Sequence, residues 1–356
     1  MDIDNKTLIG IDRTVIKGLD LKLIDRAKLL NNEDIVYQER PLGIPVKALN
    51  EEDRNISYLK IADGTLFKSL TIGIKHNKKI ILYYATMEIT LNNKDKNLQP
   101  LTMAQYHNRI QQIKIYLKDK YGLYIDFSNA YFSELEINKT AIMDRAFIEY
   151  DYLLTNIGYL IPRRYTIATH RAKEEIKQLE FYNKSIKGKI YDKTRHLKEA
   201  FKLTLDKQYL RIEYCFKDPK KIIASLGDRD LYKVTDEAIK EYLNKQIYKD
   251  LIKPLKEYIK YSNKKLLSMA KELKSLDNRK WISLFISKAI AERINKNNGT
   301  LPLTMDIKQL EEVIRQLSPH NYKRTMQRLR PTLKQYPWLN NNLIKFQEIT
   351  TKFIEH

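Results

Sequence analysis

Apolar runs with strand-like spacing fill the first two thirds of this 356-residue chain. SLTIGI (69–74), KIILYYATMEITL (79–91), LYIDFSNAYFSELEIN (123–138), GKIYDK (188–193) and YLRIEYCF (209–216) are rich in β-branched and aromatic residues, the usual composition of strands. Between them, apolar positions recurring every three to four residues predict helices over Met103 to Lys120 and His170 to Leu179. The order is strand, strand, helix, strand, helix and a closing hairpin. It predicts an α+β domain built on a mainly antiparallel sheet with inserted helices.

Beyond Asp218-Pro219 the pattern becomes helical throughout. Thr235 to Leu276 carries a long helical periodicity that Pro254 should kink or restart, because proline lacks the N–H and crowds the preceding turn. A further helix is expected from Asp277 to Lys296, ended by Asn297-Asn298-Gly299. PLTMDIKQLEEVIRQL (302–317) reads as another. Ser318-Pro319 then looks like an N-cap and first helical residue for a helix that Pro331 stops. That last helix carries Lys323, Arg324, Arg328 and Arg330, and a helix, a tight turn and a basic helix together form a candidate helix-turn-helix reader of DNA. The expected organisation is a catalytic region over 1–220 and a basic helical region over 221–356 for DNA binding or oligomerisation.

Charge sharpens that division. The formal net charge is +21. Residues 1–160 hold 22 Lys and Arg against 21 Asp and Glu, whereas residues 161–356 hold 43 against 23. A bias of composition alone would raise both parts alike. Clustered cations gain affinity for a polyanion by releasing its counterions, so nucleic acid is the expected partner, ahead of an anionic membrane surface. No apolar stretch is long enough to span a bilayer, no secretory leader is evident, and Cys215 is the single cysteine, so a cytoplasmic location is expected. The ten glycines form no phosphate-binding loop, and no G-x-S-x-G elbow occurs. The six histidines never fall as His-x-His or His-x-x-x-His, which weakens a histidine-built metal site.

Three strand segments place polar residues on one face. Alternation puts Glu134, Glu136 and Asn138 opposite Leu135 and Ile137, and Arg211, Glu213 and Cys215 opposite Leu210, Ile212, Tyr214 and Phe216. In GKIYDK it puts Lys189, Tyr191 and Lys193 opposite Ile190 and Asp192. Side by side, these faces would bring two carboxylates, an arginine, a tyrosine and lysines together. That set suits phosphoryl transfer in which tyrosine attacks a phosphodiester and retains a 5′-phosphotyrosine. Carboxylates would hold Mg²⁺ or Mn²⁺, and Lys193 would add a fixed positive charge. The same alternation also describes a solvated sheet face whose residues serve only binding.

FSELEIN, KIYDK and LRIEY, in that order, resemble the motifs of replication initiators that lack a paired-histidine motif: the filamentous-phage gene II/X proteins and the Rep_trans initiators of small rolling-circle plasmids. The resemblance covers about residues 55–220. It implies a replication-initiator or relaxase-like catalytic domain in which Glu136 is the first acidic metal ligand, Tyr191 the nucleophile, Lys193 its companion, and Arg211 and Glu213 the last motif, with Glu213 a second ligand. It implies a site-specific, metal-dependent enzyme that nicks and rejoins origin DNA, at a single-stranded or hairpin site, for a phage or plasmid. A host helicase and polymerase would be partners, and a homodimer is conceivable. Lys189 is a further expected DNA contact. Tyr182, Glu134, Asp192 and His196 are second choices; His196 stands where the family often has an acid, and Tyr182 repeats the Tyr-polar-Lys pattern nine residues before Tyr191. Three other readings stay open at this level: a non-enzymatic DNA-binding initiator or regulator, an RNA-binding protein that stacks bases on Tyr131, Phe132 and Tyr191, and a related conjugative relaxase, which would share the chemistry.

Overall fold

A computed structural model describes residues 7–32, 35–38, 56–64, 66–76, 80–90, 98–162, 164–172, 175–294, 306–336 and 342–354. The chain divides into two compact units: Met1–Ile142 with Glu180–Leu243, and Met143–Leu179 with Asn244–His356. The Asn297-Asn298-Gly299 stop and the start of the 302–317 segment lie outside the described residues.

The first unit is α+β, as the periodicity predicts. In chain order its elements are β1 (Leu8–Lys17), β2 (Asp20–Leu23), α1 (Arg26–Leu30), β3 (Ile35–Gln38), β4 (Ile56–Ile61), β5 (Ser69–His76), β6 (Ile80–Thr90), α2 (Met103–Tyr121), β7 (Leu123–Asp126) and β8 (Tyr131–Met143). After the chain has passed through the second unit come β11 (Ile186–Asp192), α4 (Lys193–Phe201), β12 (Gln208–Phe216), α5 (Pro219–Leu226) and α6 (Asp236–Ile247), which leads out of the unit. The intervening elements are α3 (Asp151–Leu160), β9 (Thr166–Ala172) and β10 (Glu175–Tyr182), the last of which leads back into the first unit.

The large sheet runs β3-β4-β5-β6-β1-β8-β12-β11 in this unit. The ladders of β3 with β4, β4 with β5, β5 with β6, β1 with both β6 and β8, and β11 with β12 are all antiparallel. Helix α2 forms where expected. Thr102 and Gln105 make a reciprocal capping box at its start, and Gly122 ends it at φ 63°, a left-handed position that glycine takes without a Cβ penalty. Its Met103, Tyr106, Ile110, Ile113, Leu117 and Tyr121 are buried. Tyr106 donates or accepts at Thr14 of β1 across 2.6 Å, fixing the helix against the strand that lies at the centre of the sheet.

The helix expected over His170 to Leu179 is instead the strand pair β9 and β10. Its Lys-Glu-Glu run favours helix locally, but Leu179 and Phe181 are both 0% exposed at strand alternation, with Ile176 buried before them. Burial of that apolar set in strands outweighs the helix propensity of the charged run.

In the second unit a π-helical turn, Tyr248–Ile252, precedes α7 (Lys253–Leu276). Pro254 gives the reason: it has no N–H for the Asp250 carbonyl and its ring crowds that oxygen, so the turn widens. Asp250, fully buried, accepts hydrogen bonds from Arg164 (2.7 Å), Tyr165 (3.1 Å) and Gln246 (2.5 Å). Helices α8 (Trp281–Ile294), α9 (Ile307–Leu317) and α10 (Tyr322–Leu333) join α7 around Leu266, Phe285, Leu310, Ile314 and Leu333. In α11 (Asn342–Ile354), Glu348 accepts from the Asp144 N–H (2.7 Å) and from Arg145 (2.5 Å).

Two expectations for the tail need correction. Ser318 ends α9, its N–H donating to the Ile314 carbonyl at 2.8 Å, and α10 begins only at Tyr322. The residue before a proline is forced out of helical backbone, so Ser318-Pro319 terminates one helix instead of opening the next. Pro331 lies inside α10, which continues to the fully buried Leu333, and the Lys334 N–H still reaches the Arg330 carbonyl at 2.9 Å.

Candidate active site on the central strands

Four adjacent strands, β1, β8, β12 and β11, each contribute to one polar cluster. Pairing of β11 with β12 sets Lys189 opposite Glu213 and Tyr191 opposite Arg211. Glu136 comes from β8, and its neighbours Leu135 and Ile137 point into the core. The fourth strand supplies Asp12, a residue the sequence reading missed. On β1, Ile11 pairs with Ile137 and Thr14 with Leu135, so Asp12 and Arg13 together stand opposite the single residue Glu136. That two-against-one mismatch is a β-bulge, a device that re-aims side chains. One oxygen each of Asp12, Glu136 and Glu213 lie within 4.8 Å of one another.

The chain beside the bulge is also tied down. Leu101 exchanges backbone hydrogen bonds with Ile11 at 2.8 and 2.9 Å. A Cβ on Gly10 would stand 2.4 Å from the Leu101 carbonyl oxygen, so glycine is required for this approach. The approach brings the Leu98 carbonyl to within 2.6 Å of Arg211 Nη2. Arg211 is fully buried and also donates from Nε to Thr140 Oγ1 (2.7 Å) and from Nη1 to Asp12 Oδ2 (3.2 Å), with Glu213 Oε1 at 3.8 Å. Its fork braces two of the three carboxylates.

Tyr191, 7% exposed, donates its hydroxyl to Glu213 Oε1 at 2.5 Å. Lys189 Nζ bridges Glu213 Oε2 (3.0 Å) and Glu136 Oε2 (3.5 Å). Lys193 is the first residue of α4, not a continuation of the strand, yet its Nζ returns to 5.8 Å from the Tyr191 ring centroid. That ammonium is completely buried and has no hydrogen-bond partner among the described residues. His196, one turn along α4, sets its ring edge to face with Tyr191 at 5.7 Å.

The electrostatics follow from burial and crowding. Burial and then the neighbouring Glu213 push the Glu136 carboxyl up to about 7. Burial would raise Glu213 too, but Lys189, Arg211 and the Tyr191 hydroxyl hold it below the usual carboxylate range. Burial and the Glu213 charge raise the Tyr191 phenol well above 10. Burial and the Arg211 charge bring Lys193 down to about 7. Burial and Lys193 lower His196. The cluster therefore stores an acid raised toward neutrality and a buried lysine without a hydrogen-bond partner among the described residues.

Three carboxylates with converging oxygens form a hard donor set, suited to Mg²⁺ or Mn²⁺ and not to a soft metal. Asp12, Glu136 and Glu213 are the residues that could hold such an ion, and Lys189 now sits between two of them as a counter-charge.

The other expected residues lie elsewhere. Asp192 caps α4, accepting from the Arg195 N–H at 2.9 Å. Glu134 stands outside the trio and pairs with Arg13 at 3.4 Å. Tyr182 is 37% exposed at the end of β10. Phe132 is fully buried, and the Arg229 guanidinium covers the Tyr131 ring at 4.1 Å, so with Tyr191 these rings form no open stacking platform. On α10, Lys323, Arg324 and Arg328 are exposed, whereas Arg330 is bonded to Glu311 of α9 at 2.9 Å.

No protein-family model matches the chain, and no curated protein does. Among solved structures, the chain is similar to a rolling circle replication initiator protein from Geobacillus stearothermophilus, at 9% identity and a TM-score of 0.33, over 69% of this chain and 86% of the other. A likeness that loose carries no argument about chemistry.

Proposed function

We propose that the first unit is a metal-dependent DNA nicking and rejoining centre with Tyr191 as nucleophile, and that the protein initiates rolling-circle replication of a phage or plasmid. One observation carries this reading: the Tyr191 hydroxyl is hydrogen-bonded to a carboxylate that belongs to a convergent trio of acids. A sheet surface that served only binding would have no need to crowd two buried carboxylates and a half-buried third together, given the cost of desolvating them.

In the proposed reaction the Tyr191 oxygen attacks the scissile phosphorus. A P–O bond to tyrosine forms, the bond to the 3′-oxygen breaks, that oxygen takes a proton from solvent and leaves as a 3′-hydroxyl, and the phosphate remains on Tyr191 as a 5′-phosphotyrosine. The phenolic proton passes to Glu213 Oε1, its present acceptor. Lys193, buried beside the ring without a hydrogen-bond partner among the described residues, regains full charge when a phosphate arrives and offsets the charge that builds up there. A divalent cation held by Asp12, Glu136 and Glu213 would supply Lewis acidity toward the phosphate. Rejoining is the reverse: a 3′-hydroxyl attacks the phosphotyrosine and Tyr191 leaves. The basic second unit would hold the DNA, α10 contributing Lys323, Arg324 and Arg328, while a host helicase and polymerase extend the freed end.

The test is a covalent adduct. With Mn²⁺ and labelled single-stranded or hairpin oligonucleotides, the parent protein should retain label through denaturation. Tyr191→Phe should bind the same DNA and retain none. Label retained by Tyr191→Phe would reject this nucleophile.

A further inference from the structure

Helix α7 has two opposed faces. Leu255, Tyr258, Ser262, Leu266, Met269 and Ala270 are buried on one. At 3.6 residues per turn, Lys253, Lys256, Lys260, Lys264 and Lys271 fall within about 80° of one another on the other. All five are exposed, and among the described residues none is in an ion pair. Two other lysines of the helix are used internally: Lys265, about 120° around from Lys253, pairs with Glu292 at 2.5 Å, and Lys274, on the same side as the row but beyond its C-terminal end, donates to the Leu317 carbonyl at 2.5 Å. Two tyrosines border the row. Tyr248 lies 5.6 Å beneath the Lys256 ammonium, and Tyr261 is 56% exposed.

Like charges three and four residues apart on one helix face repel, so the row destabilises the free helix slightly and gains when a polyanion covers it. From Lys253 to Lys271 the row is about 27 Å long, which matches roughly eight phosphates of one DNA strand at about 3.4 Å per step. Acidic residues stay off it: Glu257 is at its margin and Glu272 beyond.

We propose that the lysine face of α7 is a docking rail for the DNA phosphodiester backbone, independent of sequence and separate from the basic face of α10. The proposal rests on the reading of the protein as a DNA enzyme only in naming DNA as the polyanion. Its test uses the full-length protein and the triple variant Lys256→Gln/Lys260→Gln/Lys264→Gln, whose changes are all on the exposed face. Binding of a random-sequence duplex is measured by fluorescence anisotropy across a NaCl series, with thermal melting as the folding control. The slope of log affinity against log salt should fall by roughly 0.9 for each lysine removed, hence by about 2 to 3 for the triple variant.

An equal loss on single strands assigns the rail to the backbone in general, and a loss confined to duplex assigns it to the double helix; both support the proposal. A parent-like slope in a variant that melts like the parent overturns it. So does a loss seen only with phosphatidylserine vesicles. Adduct formation is read in the same samples. Adduct with an unchanged slope removes the rail and leaves the nicking reading; a changed slope without adduct from the parent does the reverse.

Discussion

At the residue scale, Glu136 and Arg211 do different kinds of work. Burial and then the neighbouring Glu213 raise Glu136 to about 7, so it keeps a proton at pH values where an ordinary glutamate has lost it. A metal ligand must be deprotonated, and the proton is therefore released on binding. Mn²⁺ affinity should rise as pH climbs through about 7 and level off above it, measurable by calorimetry in buffers of different ionisation enthalpy. Glu136→Gln should weaken binding and flatten that dependence. Arg211 acts through its neighbours. Arg211→Met removes one cation from buried Asp12 and the Arg211 donors from Thr140 and the Leu98 carbonyl. Removing one partner of a buried pair costs about 3–5 kcal/mol, a loss that urea unfolding would detect. Arg211→Lys keeps the charge but not the three-way fork, so it should recover only part of that stability.

At the element scale, periodicity made most of the architecture legible. The strands around residues 135, 190 and 212 and the helix over Met103 to Tyr121 stand where alternation and helical spacing put them. Glu136, Lys189, Tyr191, Arg211 and Glu213 share one face because a two-residue repeat is readable from sequence and the strands are adjacent. Asp12 was not readable. It opens a three-residue polar interruption between Ile11 and Val15 that breaks simple alternation, and what turns it to the site is a bulge, a property of pairing between β1 and β8 and not of either strand alone. Its visible signal was the Asp-Arg-Thr interruption of LIGIDRTVI. The strands β9 and β10 were missed for a related reason: only the burial of Leu179 and Phe181 shows that their partners outweigh a helix-favouring charged run. Gly10 offers the matching test. Gly10→Ala would drive a Cβ toward the Leu101 carbonyl, so the Leu98–Leu101 segment must move and loosen its hold on Arg211. A destabilisation of roughly 1–3 kcal/mol is expected, together with weaker Mn²⁺ binding.

At the scale of the whole molecule, the charge is partitioned by environment as well as by sequence. The cations of the site are buried and paired with acids or shut away from water: Arg211 and Lys193 are fully buried, and Lys189 lies against two carboxylates. The lysine row of α7 and Lys323, Arg324 and Arg328 of α10 are exposed. Salt screens the second group strongly, since the Debye length is about 10 Å at 0.1 M, and the first group far less. Grip and chemistry should therefore respond to different reagents. Raising NaCl should weaken DNA association steeply, yet leave the rate of adduct formation nearly constant once DNA is saturating. A chelator should do the opposite, stopping adduct formation while duplex affinity persists. Single-turnover nicking at saturating DNA, run against NaCl and then against EDTA, separates the two. A chemical step that fell in parallel with affinity as salt rose would mean that exposed cations, and not the buried cluster around Tyr191, carry the catalytic charge.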